Sequence, residues 1–153
     1  MGNPSEKETV VAVSGGFDPV HIGHVRMFRE ARALGDRLVV ILNNDNWIRN
    51  KKGKPFMPEG ERKEIIESIR WVDEVVLTGH DAECADRSVS TELRRIRPDI
   101  FANGGDRFAD NTPEAIVCSE LGIRTAFGVG HGGKVQSSSW LIASAQDEGA
   151  ESA

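Results

Sequence analysis

The feature that most constrains the fold is an alternation. Short runs of β-branched and other apolar residues take turns with longer segments whose apolar residues recur at helical spacing. The first run, residues 9–14 (TVVAVS), stops at the double glycine Gly15-Gly16. Residues 21–34 then place Val25, Phe28, Ala31 and Leu34 on one helical face, with Gly35 as a stop. Residues 36–42 (DRLVVIL) form the second apolar run, and residues 43–58 read as a polar, basic loop. A helix over 59–70 aligns Ile65, Ile66 and Ile69. A third strand is expected at 72–77, a loop over 79–87, and a short helix at 90–96. That helix must end before Pro98, because the residue preceding a proline avoids helical angles. Residues 99–102 give a fourth strand. Thr112-Pro113 is a cap followed by proline at the first helical position, and the helix it opens stops at Gly122. A fifth strand at 123–127, a glycine-rich stretch at 128–133, a helix at 137–145 and a polar tail at 147–153 complete the chain.

Strand and helix in alternation call for an α/β fold: a five-stranded, mostly parallel sheet with helices on both faces. The 153 residues suit a single domain with its core over about 9–146. In such sheets the ligand lies at the carboxyl ends of the strands. The residues just after each strand are therefore the candidates: 15–24, 43–54, 79–87, 103–107 and 128–139.

Composition narrows the class. A formal net charge of -5 disfavours a non-specific nucleic-acid binder, which needs clustered Lys and Arg against phosphates. A small basic pocket is still compatible with it. Cys84 and Cys118 have no zinc-binding spacing and read as reduced thiols. The first eight residues are polar, no signal-like apolar region follows, and no apolar run approaches a membrane span. A cytoplasmic enzyme without a nucleic-acid or membrane partner is expected.

The segment with the most chemistry is Gly15-Gly16-Phe17-Asp18-Pro19-Val20-His21-Ile22-Gly23-His24. Its glycines let backbone approach a ligand. The helix that follows offers free N–H groups and a positive dipole end to an anion. His21 and His24 are three apart, so on a first helical turn they share one face and can donate hydrogen bonds to a phosphate. Gly23 between them leaves room for a base or ribose. A metal-binding histidine pair is the other chemical reading, but no third ligand follows at an obvious spacing. Incidental surface histidines are the bland one.

This segment resembles the GxFDxxHxGH signature of the cytidylyltransferase-like nucleotidyltransferases, which include glycerol-3-phosphate and phosphocholine cytidylyltransferases and the ADP-heptose-forming adenylyltransferase domain. The resemblance extends from about Val10 to Ile142. It implies a Rossmann-like, doubly wound fold. It also implies attack by an acceptor phosphate on the α-phosphate of ATP or CTP, with Mg²⁺ arriving on the nucleotide and pyrophosphate leaving. By resemblance, His21 and His24 stabilise the transition state, and Gly15, Gly16, Phe17 and Gly23 cradle the nucleotide.

The same resemblance assigns further roles. A lysine after the second strand contacts phosphate: Lys51 or Lys52, with Lys54 as an acceptor contact. Arg62 matches a position at the start of the next helix and is expected at the acceptor. Gly104-Gly105-Asp106 is similar to the GGD of heptose adenylyltransferases and favours ATP with a sugar phosphate, CTP with a polyol or amino-alcohol phosphate being the alternative. Ser137, Ser138 and Ser139 stand where the family holds β- and γ-phosphates, and Lys134 replaces the arginine that often precedes them. The glycerol-3-phosphate enzymes place a lysine after the third strand. Here His80 or Arg87 stands in for it at the acceptor. The segment around Trp71 resembles one near a dimer interface, so a homodimer is expected. No protein metal ligand is expected. A non-catalytic nucleotide-binding or sensing protein on the same fold is the rival reading, and an enzyme of coenzyme or flavin assembly, sharing the same turn and separated by acceptor choice, is a third.

Overall fold

The computed structural model describes residues 7–83, 85–104 and 112–129. It contains strands β1 (Val10–Gly15), β2 (Arg37–Leu42), β3 (Glu74–Leu77), β4 (Ile100–Ala102) and β5 (Arg124–Ala126). The helices are α1 (Ile22–Ala33), α2 (Asp45–Lys52), α3 (Glu59–Glu67), α4 (Ser90–Ile96) and α5 (Pro113–Leu121). The helix expected at 137–145 and the tail lie outside the described residues.

All strand pairs are parallel, in the order β3-β2-β1-β4-β5. The chain steps outward from β1 to β3, then returns to the other side of β1. The order therefore reverses between β1 and β4, where a doubly wound sheet opens a crevice at its carboxyl edge. Alternate side chains divide between two cores, as the pleat requires. Val11, Val13, Leu38, Val40 and Leu42 pack with Phe28 and Ala31 of α1 and Ile66 of α3. Ala12, Ile41 and Phe101 pack on the opposite face with Leu93 of α4 and Val117 and Cys118 of α5. Burial on both faces is why β2 reads as one continuous apolar run. Among the described residues no helix is long and apolar enough to cross a membrane.

One element departs from expectation. Residues 43–58 are not all loop, because α2 occupies their first half. Asn44 caps it, its side-chain oxygen accepting from Trp47 N at 2.9 Å. Asp45 lies in the first turn, and Arg49, Lys51 and Lys52 lie in the last, each sign matching the helix dipole. Gly53 ends it at φ +94°, a conformation that favours glycine. Only Ile48 is buried, so the helix carries almost no apolar period.

Candidate active site

The turn after β1 is built by its own histidines. His21 is the N-cap of α1, and its Nδ1 accepts from Gly23 N at 3.1 Å. His24, three residues on, returns the contact: its Nδ1 accepts from His21 N at 3.2 Å. This is a reciprocal capping box made of two imidazoles. The rings stack with centroids 3.7 Å apart, and Phe17 meets His24 edge-on at 4.8 Å. A neutral imidazole has one donor and one acceptor nitrogen. With Nδ1 accepting from backbone in both rings, the neutral form of each carries its proton on Nε2.

His24 holds that neutral form strongly. Burial disfavours its charged form, and the charges of His21 and Lys52 oppose protonation further, so its pKa falls from 6.5 to about 3. The sign for stability follows. Between about pH 3 and 6.5 the unfolded chain binds a proton at this histidine that the folded chain refuses. Stability therefore rises with pH through that window and is fully present above it. Urea unfolding at pH 7.5 and 5.0 should show a smaller acid-induced loss for His24→Gln than for the unmodified protein. Equal losses would remove His24 as the cause.

The two glycines before this turn have a packing reason that the sequence did not reveal. A Cβ on Gly15 would stand 2.8 Å from the Phe17 ring, and one on Gly16 would stand 2.8 Å from Ile48 Cδ1 of α2. They let Phe17 and α2 close on the strand end. Phe17 itself adopts φ +47° and is buried.

Two buried charged residues, Asp18 and Arg62, hold the turn against the rest of the site. Asp18 Oδ2 accepts from Phe56 N at 2.7 Å and Oδ1 from Met57 N at 2.6 Å, pinning the segment after α2. Lys52 Nζ donates to the Asp18 carbonyl at 3.1 Å, which brings that lysine beside the histidine turn. Arg62 corrects an expectation. It is not positioned to touch an acceptor, because its side chain is wholly buried. Its Nε donates to the Met57 carbonyl, Nη1 to the carbonyls of Gly16 and Asn43, and Nη2 to Asp45 Oδ1 at 2.7 Å. One guanidinium thus ties the ends of β1 and β2, the start of α2 and the segment before α3.

The crevice over β1 and β4 has two lobes that share Ser14, Gly15, Gly16 and Asn103. Each encloses space at the low end of the usual small-molecule range of roughly 300–1,000 Å³, about 330 Å³ and 310 Å³ respectively. The α1 lobe is bounded by Phe17, His24, Met27 and Gly104. The α2 lobe is bounded by Asn43, Trp47, Lys51, Arg87, Phe101 and Phe127 among others. Trp47 braces this second lobe: its Nε1 donates to the Arg87 carbonyl at 2.8 Å, and Lys51 Nζ lies 4.7 Å from its ring centroid.

The lysines and the two acceptor candidates therefore separate. Lys51 and Arg87 line the α2 lobe, Lys52 leans on the histidine turn, and Lys54 is exposed and lines neither lobe. His80 stands outside the cleft, in a separate recess beside Asp81 and Asp86. Its Nε2 donates to the Ser88 carbonyl at 2.9 Å and its Nδ1 pairs with Thr78 Oγ1 at 2.7 Å, so the ring ties down the loop after β3. Gly104 lines the α1 lobe, whereas Gly105, Asp106, Lys134, Ser137, Ser138 and Ser139 lie outside the described residues. Sequence reasoning gave no site role to Asp18, Asn43, Trp47 or Asn103. Asp18 was visible as the acid of the signature, and the other three only by position after a strand.

A family model described as cytidylyltransferase-like matches residues 12–126. The chain belongs to this family, and its class is that of the nucleotidyltransferase enzymes. The FAD synthase of Pyrococcus horikoshii is 38% identical over 108 residues, 69% of this chain and 69% of that protein. The bifunctional protein HldE of Streptomyces coelicolor is 38% identical over 120 residues, 77% of this chain and 25% of that protein, so the chain spans about a quarter of that relative's length. Among solved structures, a lipopolysaccharide core biosynthesis protein from Thermoplasma volcanium has a TM-score of 0.64 at 29% identity, covering 79% of this chain and 94% of that one.

Proposed function

We propose that the protein transfers AMP from ATP to a phosphorylated acceptor and releases pyrophosphate. The observation that carries this reading is the pair of stacked histidines, held as Nε2–H donors at the amino end of α1 in the switch-point crevice. An acceptor phosphate oxygen attacks the α-phosphorus. A new P–O bond forms as the bond to the β-phosphate oxygen breaks, and pyrophosphate leaves with the electron pair. Charge develops on the non-bridging oxygens, where fixed donors and a helix end are worth most. The first turn of α1 has no acidic residue to repel that charge. Mg²⁺ enters with the nucleotide as part of the substrate. The α1 lobe, with His24 and Gly104, takes the triphosphate nucleotide. The α2 lobe, with Lys51 and Arg87, takes the acceptor.

Relatives named FAD synthase favour FMN as the acceptor, and the aromatic walls of the α2 lobe, Trp47, Phe101 and Phe127, suit a planar ring. A sugar phosphate is the second reading, favoured by the likeness to HldE. The working form is proposed to be a homodimer. The test is pyrophosphate release with Mg²⁺ and ATP or CTP, each paired with FMN, sugar 1-phosphates and glycerol 3-phosphate. Release with ATP and one acceptor is the expected result. Nucleotide binding by calorimetry with no release across the panel would replace this reading with a sensor.

A further inference from the structure

β2 ends at Leu42, and the next residue, Asn43, forms part of the wall of the α2 lobe. Its backbone is fixed from both sides. The N–H donates to the Gly15 carbonyl at 2.9 Å, and its own carbonyl accepts from Arg62 Nη1 at 2.8 Å. The side chain is different. The residue is only 4% exposed, yet Oδ1 has no hydrogen-bond partner, and among the described residues it is the only buried side-chain nitrogen or oxygen in that state. The neighbouring Asn44 makes the contrast: its Oδ1 accepts from Trp47 N and its Nδ2 donates to the His80 carbonyl. An amide oxygen removed from water without a donor destabilises the ligand-free protein, and folded proteins leave few such groups. Asn43 Oδ1 therefore contributes no hydrogen bond to the fold, and the residue that carries it lines a space of substrate size.

We propose that Asn43 is a specificity-determining residue, whose Oδ1 accepts a hydrogen bond from an O–H or N–H group of the acceptor substrate in the α2 lobe. Lys51 and Arg87 supply the charge that this lobe offers to phosphate. Asn43 is neutral and reads a donor on the rest of the acceptor, such as a hydroxyl or a ring imide. A lobe built this way favours acceptors that carry the donor, because only they relieve the unpaired oxygen. This inference rests on the assignment of the α2 lobe to the acceptor.

The test compares Asn43→Leu with the unmodified protein. Removing a substrate-reading group should raise the KM for the acceptor roughly tenfold, with the KM for ATP unchanged and the unfolding temperature unchanged or raised. An unchanged acceptor KM overturns the proposal. So does an unfolding temperature several degrees lower, since that outcome means the carboxamide supports the fold. Binding is also read without turnover, as the change in unfolding temperature when FMN, glycerol 3-phosphate or glucose 1-phosphate is added to the ATP-saturated protein in EDTA, with no Mg²⁺ present. A rise seen in the unmodified protein and lost in Asn43→Leu supports the role, whereas equal rises, or none in either protein, overturn it. If the unmodified protein releases no pyrophosphate with any acceptor, the transferase reading falls, and the binding comparison alone decides the role of Asn43.

Discussion

Replacing His24 with alanine is expected to lower the rate of pyrophosphate release by about 10²–10³-fold, the usual effect of removing one donor aimed at developing charge. Two other consequences are smaller. The side chain also accepts from His21 N, so its loss removes half of the α1 capping box, at about 1 kcal/mol of stability. ATP affinity should change little, because the helix end and the rest of the α1 lobe remain. The measurement is kcat under saturating substrates, with circular dichroism and ATP calorimetry on the same preparation. A folded variant retaining more than a tenth of the activity would remove His24 from the transition state.

Arg62→Met is expected to cause the largest loss of stability, about 3–5 kcal/mol, the range for breaking a buried ion pair by removing one partner. Such a loss is a large share of the 5–15 kcal/mol or so that holds a typical domain. The methionine fills similar space but leaves the carbonyls of Gly16, Asn43 and Met57, and the Asp45 carboxylate, without their donor. Urea unfolding should show the midpoint falling with the slope unchanged. Activity should fall at temperatures where the variant is still folded, since Gly16 and Asn43 both line the cleft. A midpoint close to that of the unmodified protein would mean that water satisfies these groups instead.

What the sequence disclosed, and what it hid, divides along physical lines. The sheet was legible because strands buried on both faces must be apolar throughout, as in 36–42. The caps at Thr112-Pro113 and Gly122 were legible because capping is local chemistry. Helix α2 was missed because it is held by Asn44, Trp47 and the loop contacts around them, with Ile48 alone in the core. Arg62 reads as an acceptor contact only because its place at the start of a helix resembles the family's. Nothing in a linear sequence tells that its guanidinium crosses to carbonyls 46 and 19 residues away. Asn43 and Asn44 look alike in the chain, and only their partners separate them. His21 and His24 were found because glycine, aromatic, acid and two imidazoles at fixed spacing are a specific pattern. Their mutual capping was not expected.

That mutual capping restricts the chemistry the two rings can perform. A lone pair on Nδ1 that receives a backbone N–H cannot take a proton at the same time. Protonating either ring would expel its backbone partner and begin to unwind the helix that presents it. The rings are therefore unsuited to relaying protons and suited to staying unchanged while the charge around them moves. For the reaction proposed above, rings so arranged call for an acceptor whose nucleophilic oxygen is already ionised at neutral pH, which is a property of a phosphate monoester and not of an alcohol.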